Sequence, residues 1–221
     1  MFSAVLFDMD GTLVDSEKLW DVAMHAFYAK YDAVLTPEVR ETTVGGSAEN
    51  VMRIVYDDLG LDPTPEAMAQ SADWLHEYTG ELFEQGLPWQ PGALELLDNC
   101  AAAEVPLALV TNTRRSLADQ ALKTIGSHYF AVTVCGDEVA DGKPHPAPYL
   151  RAAELLGVAP ADCLAIEDSV AGVSSADAAG CAVLVVPNDV EVPGGSRRRH
   201  VESLAGLGVA DLRTIFAELS S

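Results

Sequence analysis

Basic residues are scarce in this chain: 13 lysines and arginines stand against 34 aspartates and glutamates in 221 residues, a formal net charge of −21. A surface so acidic repels phosphate backbones and anionic lipid, which argues against nucleic acid and membranes as partners. The same field opposes an anionic substrate unless a metal or well-placed bases offset it locally. The one basic run, Arg197-Arg198-Arg199-His200, follows a Pro-Gly-Gly stretch and reads as a solvated loop. Cysteine is sparse too. Cys100, Cys135, Cys163 and Cys181 are scattered with no C-x-x-C pair, which excludes a zinc ribbon and reads as small buried hydrophobes in a reducing compartment. No apolar run approaches the roughly 20 residues of a membrane span, and the first residues lack a basic region with a cleavage site. The expectation is a soluble, cytoplasmic protein. Repeats and low-complexity segments are absent, and a chain 49% hydrophobic can build one core with a smaller inserted domain.

Five short apolar runs read as buried strands: Val5–Asp8, Pro106–Thr111, Ala131–Cys135, Cys163–Glu167 and Ala182–Val186. From the second onward they alternate with helical patterns at 114–126, 146–156 and 170–179. Such alternation implies right-handed crossovers and a parallel sheet covered on both faces. Residues 16 to about 88 break the pattern with helices expected at 17–31, 37–43, 47–59 and 65–86. Their aromatics (Trp20, Phe27, Tyr31, Tyr56, Trp74, Tyr78, Phe83) supply a second core. An α/β protein is expected: a Rossmann-like parallel-sheet core domain, residues 1–15 and 89–221, with an α-helical cap domain, residues 16–88, inserted after the first strand. The cap would sit over the C-terminal edge of the sheet, where open parallel sheets bind ligands.

The strand ends carry the chemistry. The first apolar run stops at Asp8 and Asp10, two like charges that a hard divalent cation would reconcile. The second ends in Thr111 and Asn112. After the third comes Lys143, between Gly142 and Pro144. The fourth ends in Glu167 and Asp168, with Ser169 placed to cap the next helix. Carboxylates from two strand ends with a lysine and a hydroxyl suit a magnesium site beside a phosphate site.

These segments, "DMDGT", "LVTNT", "GKPHPAPY" and "IEDS" in that order, closely resemble the four motifs of the haloacid dehalogenase superfamily of phosphatases and phosphomutases. The resemblance covers essentially the whole chain, and its nearest branch is the β-phosphoglucomutase-like and phosphoglycolate phosphatase-like one. It implies that Asp8 is the nucleophile, forming an aspartyl-phosphate, and that Asp10 is the general acid and base. It implies that Thr111 and Lys143 bind phosphoryl oxygens, Lys143 also pairing with Asp8. Mg2+ would be held by Asp8, the Asp10 backbone carbonyl and Asp168, with Glu167 acting through water.

The cap is expected to select the substrate, a small phosphorylated metabolite. Its glycine-rich link "VGGSAEN" (Val44–Asn50) offers Gly46 and Ser47 as substrate contacts, with Glu49, Asn50 and Arg53 in reach; a plain interhelix turn is the other reading. Asn112 and Arg114 are candidate substrate contacts or, equally, capping and surface residues. Mutases of the branch carry a histidine five residues after the aspartate matching Asp15 and a basic residue in the cap loop, where this chain has Trp20 and Ala48. Of the phosphonate-cleaving relatives' cap lysine there are only Lys18 and Lys30 as counterparts, and halide-releasing relatives lack a second aspartate such as Asp10. The reading is a magnesium-dependent phosphatase of a sugar phosphate or phosphorylated small acid. The alternatives are a phosphomutase and a non-catalytic regulatory protein on the same fold. A monomer is compatible with this size and cap.

Overall fold

The computed structural model describes residues 2–186 and 191–220. Six parallel strands form one sheet: β1 (Ala4–Phe7), β2 (Leu107–Val110), β3 (Val132–Val134), β4 (Cys163–Glu167), β5 (Ala182–Val185) and β6 (Arg198–His200), in the order β3-β2-β1-β4-β5-β6. The chain builds outward from β1 to β3, then returns to place β4 on the other side of β1. That reversal opens a crevice at the C-terminal ends of β1 and β4.

The strands β1, β2, β4 and β5 are short, largely apolar and buried on both faces, and their alternation sorts them between two cores. Val5, Phe7, Leu107, Leu109, Leu164 and Ile166 pack on the helices α5 (Ala93–Ala102), α6 (Arg115–Ile125) and α9 (Val209–Leu219). Ala4, Leu6, Ala108, Val110, Cys163 and Ala165 pack on the opposite side, on α7 (Ala147–Leu156) and α8 (Val170–Ala179). The register pairs Leu6 with both Ala108 and Ala165. Two residues further on, Asp8 therefore lies level with Val110 and Glu167, on the α7 and α8 side.

Between β1 and α5 come α1 (Glu17–Ala29), α2 (Pro37–Thr43), α3 (Ala48–Leu59) and α4 (Pro65–Phe83). Thr36 and Thr64 cap α2 and α4 just before a proline in the first turn, and Gly60 ends α3 in the left-handed conformation. These helices enclose a core of their own, built on Met24, Phe27, Tyr28, Met52, Val55 and Leu75. The chain leaves the sheet and returns to it at one place, where Asp15 N–H bonds Pro88 O at 2.8 Å and Val14 bridges Trp89.

Three expectations change. The sheet has six strands rather than five, because the basic run Arg198–His200 pairs with β5 instead of forming a solvated loop. An edge strand needs only backbone pairing, and its charges are met from outside the sheet: Arg198 Nη2 lies 2.7 Å from Asp177 Oδ2, and Arg199 pairs with Glu218. Helices α5 and α9 also lie where periodicity assigned none. Their sequences, ALELLDNCAA and VADLRTIFAEL, carry apolar residues at helical spacing that the sheet-flanking pattern overshadowed.

Candidate active site

Asp8, at the tip of β1, is 6% exposed and receives Lys143 Nζ at 2.5 Å. The same ammonium donates to Val110 O at 2.8 Å and to Glu167 Oε1 at 2.6 Å. Lys143 is thus buried with three acceptors around it. Burial opposes its charge, but Asp8 and Glu167 outweigh that cost and raise its pKa above the usual lysine range.

Glu167 is saturated by protein donors. Tyr149 Oη joins Lys143 at Oε1, 2.6 Å away, while Asp168 N at 3.3 Å and Ser169 Oγ at 3.4 Å reach Oε2. Ser169 also caps α8 by accepting from Gly172 N. Gly172 is a glycine for a steric reason: a Cβ there would fall 2.0 Å from the Glu167 carboxylate. Asp168 differs. The one hydrogen bond to its carboxylate among those described is from Thr12 Oγ1 at a long 3.4 Å, which leaves acceptor capacity.

The carboxylates of Asp8, Glu167 and Asp168 offer oxygens within 4.8 Å of one another. Burial first, and then the neighbouring acids, push Asp8 and Asp168 well above the usual carboxylate range. An all-oxygen, buried, mutually repelling set is the donor chemistry of a hard divalent cation and would be relieved by one. The residues fit the ion expected from the sequence. Asp8 and Asp168 are the direct carboxylate donors in reach, whereas Glu167, engaged on both oxygens, suits contact through water.

Asp10 lies two residues beyond Asp8, and its carboxylate belongs to a different network. Ser16 Oγ (2.6 Å) and Trp20 Nε1 (3.3 Å) donate to Oδ1; Thr113 Oγ1 (2.8 Å) and Thr111 Oγ1 (3.1 Å) donate to Oδ2. Thr111, expected at phosphoryl oxygens, therefore directs its proton to Asp10, and its oxygen accepts from Thr113 N at 3.0 Å.

Above these groups the core and the four-helix insert enclose a cavity of about 90 Å³. Asp8, Asp10, Asn112, Thr113, Lys143 and Ser169 line its floor. Trp20, Met24, Arg40, Met52, Leu75 and His76 are among the residues of its roof. Gly46 lines it. Ser47 instead caps α3 by accepting from Asn50 N and faces an outer cleft. Asn112 reaches the cavity wall, yet its amide is engaged by backbone: Oδ1 accepts from Lys143 N at 2.7 Å, and Nδ2 donates to Lys143 O at 3.0 Å and to Gly45 O at 2.9 Å. It clamps the lysine loop to the cap loop. Arg114 pairs with Asp73 of α4, a second tie across the same seam. Gly45, at φ +67°, lets that loop approach so closely that a Cβ would lie 2.6 Å from Ser169 Oγ.

Sequence reasoning missed Tyr149, Gly172, Thr113, Ser16 and Arg40. Thr113 and Tyr149 stand within the quoted motifs and Ser16 four residues past the first, and a count of the donors needed to hold the carboxylates would have pointed to them. Arg40 carried no local signal.

The whole sheet and insert have counterparts among known proteins. The model of the haloacid dehalogenase-like hydrolases matches residues 5–186. Protein CbbY of Rhodobacter capsulatus is 35% identical over 196 residues, covering 84% of this chain and 86% of the relative. The phosphorylated carbohydrates phosphatase of Thermotoga maritima is 33% identical over 178 residues, covering 80% and 81%. Among solved structures, a mutant of CbbY from Rhodobacter sphaeroides in complex with xylulose-1,5-bisphosphate superposes with a TM-score of 0.84 at 29% identity, over 96% of this chain and 99% of that one. A family match across most of the chain, carried by the motifs that build this buried lysine–carboxylate cluster, makes the chain a member of the haloacid dehalogenase-like hydrolase family.

Proposed function

We propose that the protein is a magnesium-dependent phosphatase of small phosphomonoesters, acting through an aspartyl-phosphate on Asp8. The observation that carries this reading is the contact of one buried ammonium, Lys143, with both Asp8 and Glu167 beside the open acceptor Asp168. The Lys143 ammonium favours the ionised form of Asp8 against burial and the neighbouring acids, and the ionised carboxylate is the form that acts as a nucleophile. The core, residues 1–15 and 89–221, supplies this machinery, and the cap, residues 16–88, closes over it.

In this mechanism an Asp8 carboxylate oxygen attacks phosphorus and the ester oxygen departs. Asp10, held by Ser16, Trp20, Thr111 and Thr113, gives its proton to the departing oxygen. The resulting Asp10 carboxylate then takes a proton from water as that water attacks phosphorus, releasing phosphate and restoring both aspartates. Lys143 offsets negative charge at the phosphoryl group throughout. A divalent ion held by Asp8 and Asp168, with the Asp10 carbonyl, would supply electrostatic neutralisation between the two anions. The name of the Thermotoga maritima relative supports a phosphorylated carbohydrate as substrate. Hydrolysis is favoured over phosphomutation because Trp20 and Ala48 line the cavity where mutases of this branch carry a histidine and a base.

Phosphate release from sugar phosphates and phosphorylated small acids, with magnesium or with chelator, tests the reading. Release is expected only with the metal. Asp8→Asn is expected to remain folded and to lose at least about a thousandfold in kcat. Retained turnover in that variant would remove Asp8 as nucleophile, and interconversion of glucose 1-phosphate and glucose 6-phosphate without release would make the protein a mutase.

A further inference from the structure

Lys143, on the loop before α7, and Tyr149, in the first turn of that helix, reach the same atom. Glu167 Oε1 accepts from Lys143 Nζ and from Tyr149 Oη, each at 2.6 Å. Oε2 receives only the long contacts of 3.3 and 3.4 Å from Asp168 N and Ser169 Oγ. The loop that carries both donors is pinned. Asn112 holds the Lys143 backbone, and Ser175 Oγ donates to His145 O at 2.6 Å. The Tyr149 side chain is wholly buried, and its ring centre lies 5.2 Å from Lys143 Nζ. Ring and hydroxyl therefore act on one ammonium, the ring directly and the hydroxyl through Glu167.

An ammonium has three N–H groups, and here all three are committed, to Asp8, to Val110 O and to Glu167. A phosphoryl oxygen can be met only if one of these contacts yields. Asp8 and Glu167 compete for the same charge in a buried site, where each added donor is felt strongly. Among the described residues the Asp8 carboxylate accepts from Lys143 alone. Glu167 has the Tyr149 proton as well, which answers part of the negative charge on the very oxygen that holds the lysine. Burial pushes the Tyr149 phenol well above its usual range, so it stays a donor.

From these two donors on one carboxylate oxygen, we infer that Tyr149 is a positioning residue. Its hydroxyl weakens the hold of Glu167 on Lys143, so that the ammonium stays shared with Asp8 and can follow a phosphoryl oxygen. The inference rests on the phosphatase reading and adds to it a residue one contact removed from the reacting atoms. Without the hydroxyl, Lys143 is drawn to Glu167, and Asp8 loses part of its only partner cation.

Tyr149→Phe deletes the hydroxyl and keeps the ring, so the fold is expected to stand, with a melting temperature within a few degrees of wild type. Its kcat for phosphate release should fall about tenfold. Three readouts separate this role from packing. Magnesium, titrated calorimetrically into the metal-free full-length variant, should bind about threefold more tightly, because Asp8 and Glu167 have each lost compensation. Inorganic phosphate, titrated with magnesium present, should bind about fivefold more weakly, because the ammonium has moved toward Glu167. In a Glu167→Gln background the competitor carries no charge, and adding Tyr149→Phe should change phosphate affinity by less than about twofold. Magnesium and phosphate affinities that fall together in Tyr149→Phe, or that stay unchanged, overturn the inference. So does an undiminished loss in the Glu167→Gln background, or a wild type that binds no magnesium or no phosphate. Absence of phosphate release from every phosphomonoester removes the phosphatase reading instead, and the two titrations, which need no turnover, then decide the part of Tyr149 by themselves.

Discussion

Glu167 and Asp168 are adjacent in sequence and do opposite things in the fold. Glu167, on the β4 parity that faces α7, accepts from Lys143, Tyr149, Ser169 and the Asp168 amide, and it holds the lysine in place. Asp168 points into the same cluster with one long hydrogen bond and contributes mainly negative charge. Their substitutions should therefore separate stability from activity. Lys143→Met leaves Asp8 and Glu167 buried without their cation and should cost about 3–5 kcal/mol. Asp168→Asn removes one of three clustered charges; it should raise the melting temperature of the metal-free protein by a few degrees, about 1 kcal/mol for a chain of this size, while turnover collapses. Parallel thermal melts and phosphate-release assays check both. Trp20 provides a milder test, because Trp20→Phe keeps the wall against His76 and deletes one of four donors to Asp10. A drop in kcat of about tenfold is expected.

At the scale of elements, helix α8 positions the site by what its first turn omits. Its amphipathicity is weak and its residues are small, so that Val173, Ala176 and Ala179 can lie on the sheet. Gly172 adds the space that the Glu167 carboxylate occupies. Gly172→Ala should displace that carboxylate, loosen Lys143, and cost about 1–3 kcal/mol of stability from overpacking, with a loss of activity far larger than the stability change predicts. Circular dichroism melts and kcat on the same preparation separate the two. The glycine-rich loop before α3 does comparable work from the cap side. Gly45 lies on Ser169, and its carbonyl accepts from Asn112, so the loop ties the helical insert to the sheet while Gly46 faces the cavity.

Over the whole molecule, the buried acids act in the same direction as the net charge of −21. Asp8 and Asp168 have pKa values raised by burial and by neighbouring carboxylates, so the folded protein binds more protons than the unfolded chain over the range between. Stability must then fall as pH rises from the ordinary carboxylate range through the raised values, and it is greatest where both states are protonated. Without metal, the melting temperature should decline as pH rises from the ordinary carboxylate range through the raised values of Asp8 and Asp168. Magnesium should restore more at the upper end, and Asp168→Asn should flatten both effects. A metal-independent profile would argue against an ion at this cluster.

Much of this was legible in the sequence because it is local. Strand runs show as short apolar blocks, the caps of α2 and α4 as Thr-Pro pairs, Asp8 and Asp168 as polar residues at the ends of buried runs, and Lys143 as a lysine fixed between Gly142 and Pro144. Even the sharing of a face by Leu6 and Asp8 follows from the two-residue period of a strand. What lay beyond it depends on which segments meet. Only the strand order sets β4 beside β1 and brings Glu167 level with Asp8, only backbone pairing makes a strand of Arg198–His200, and only the docking of α2 on α1 joins Arg40 to Glu17. The residue types and their intervals determined the polar parts of the site, since the geometry of strands and turns is short-ranged. Long-range packing decided which charge each of those parts would face.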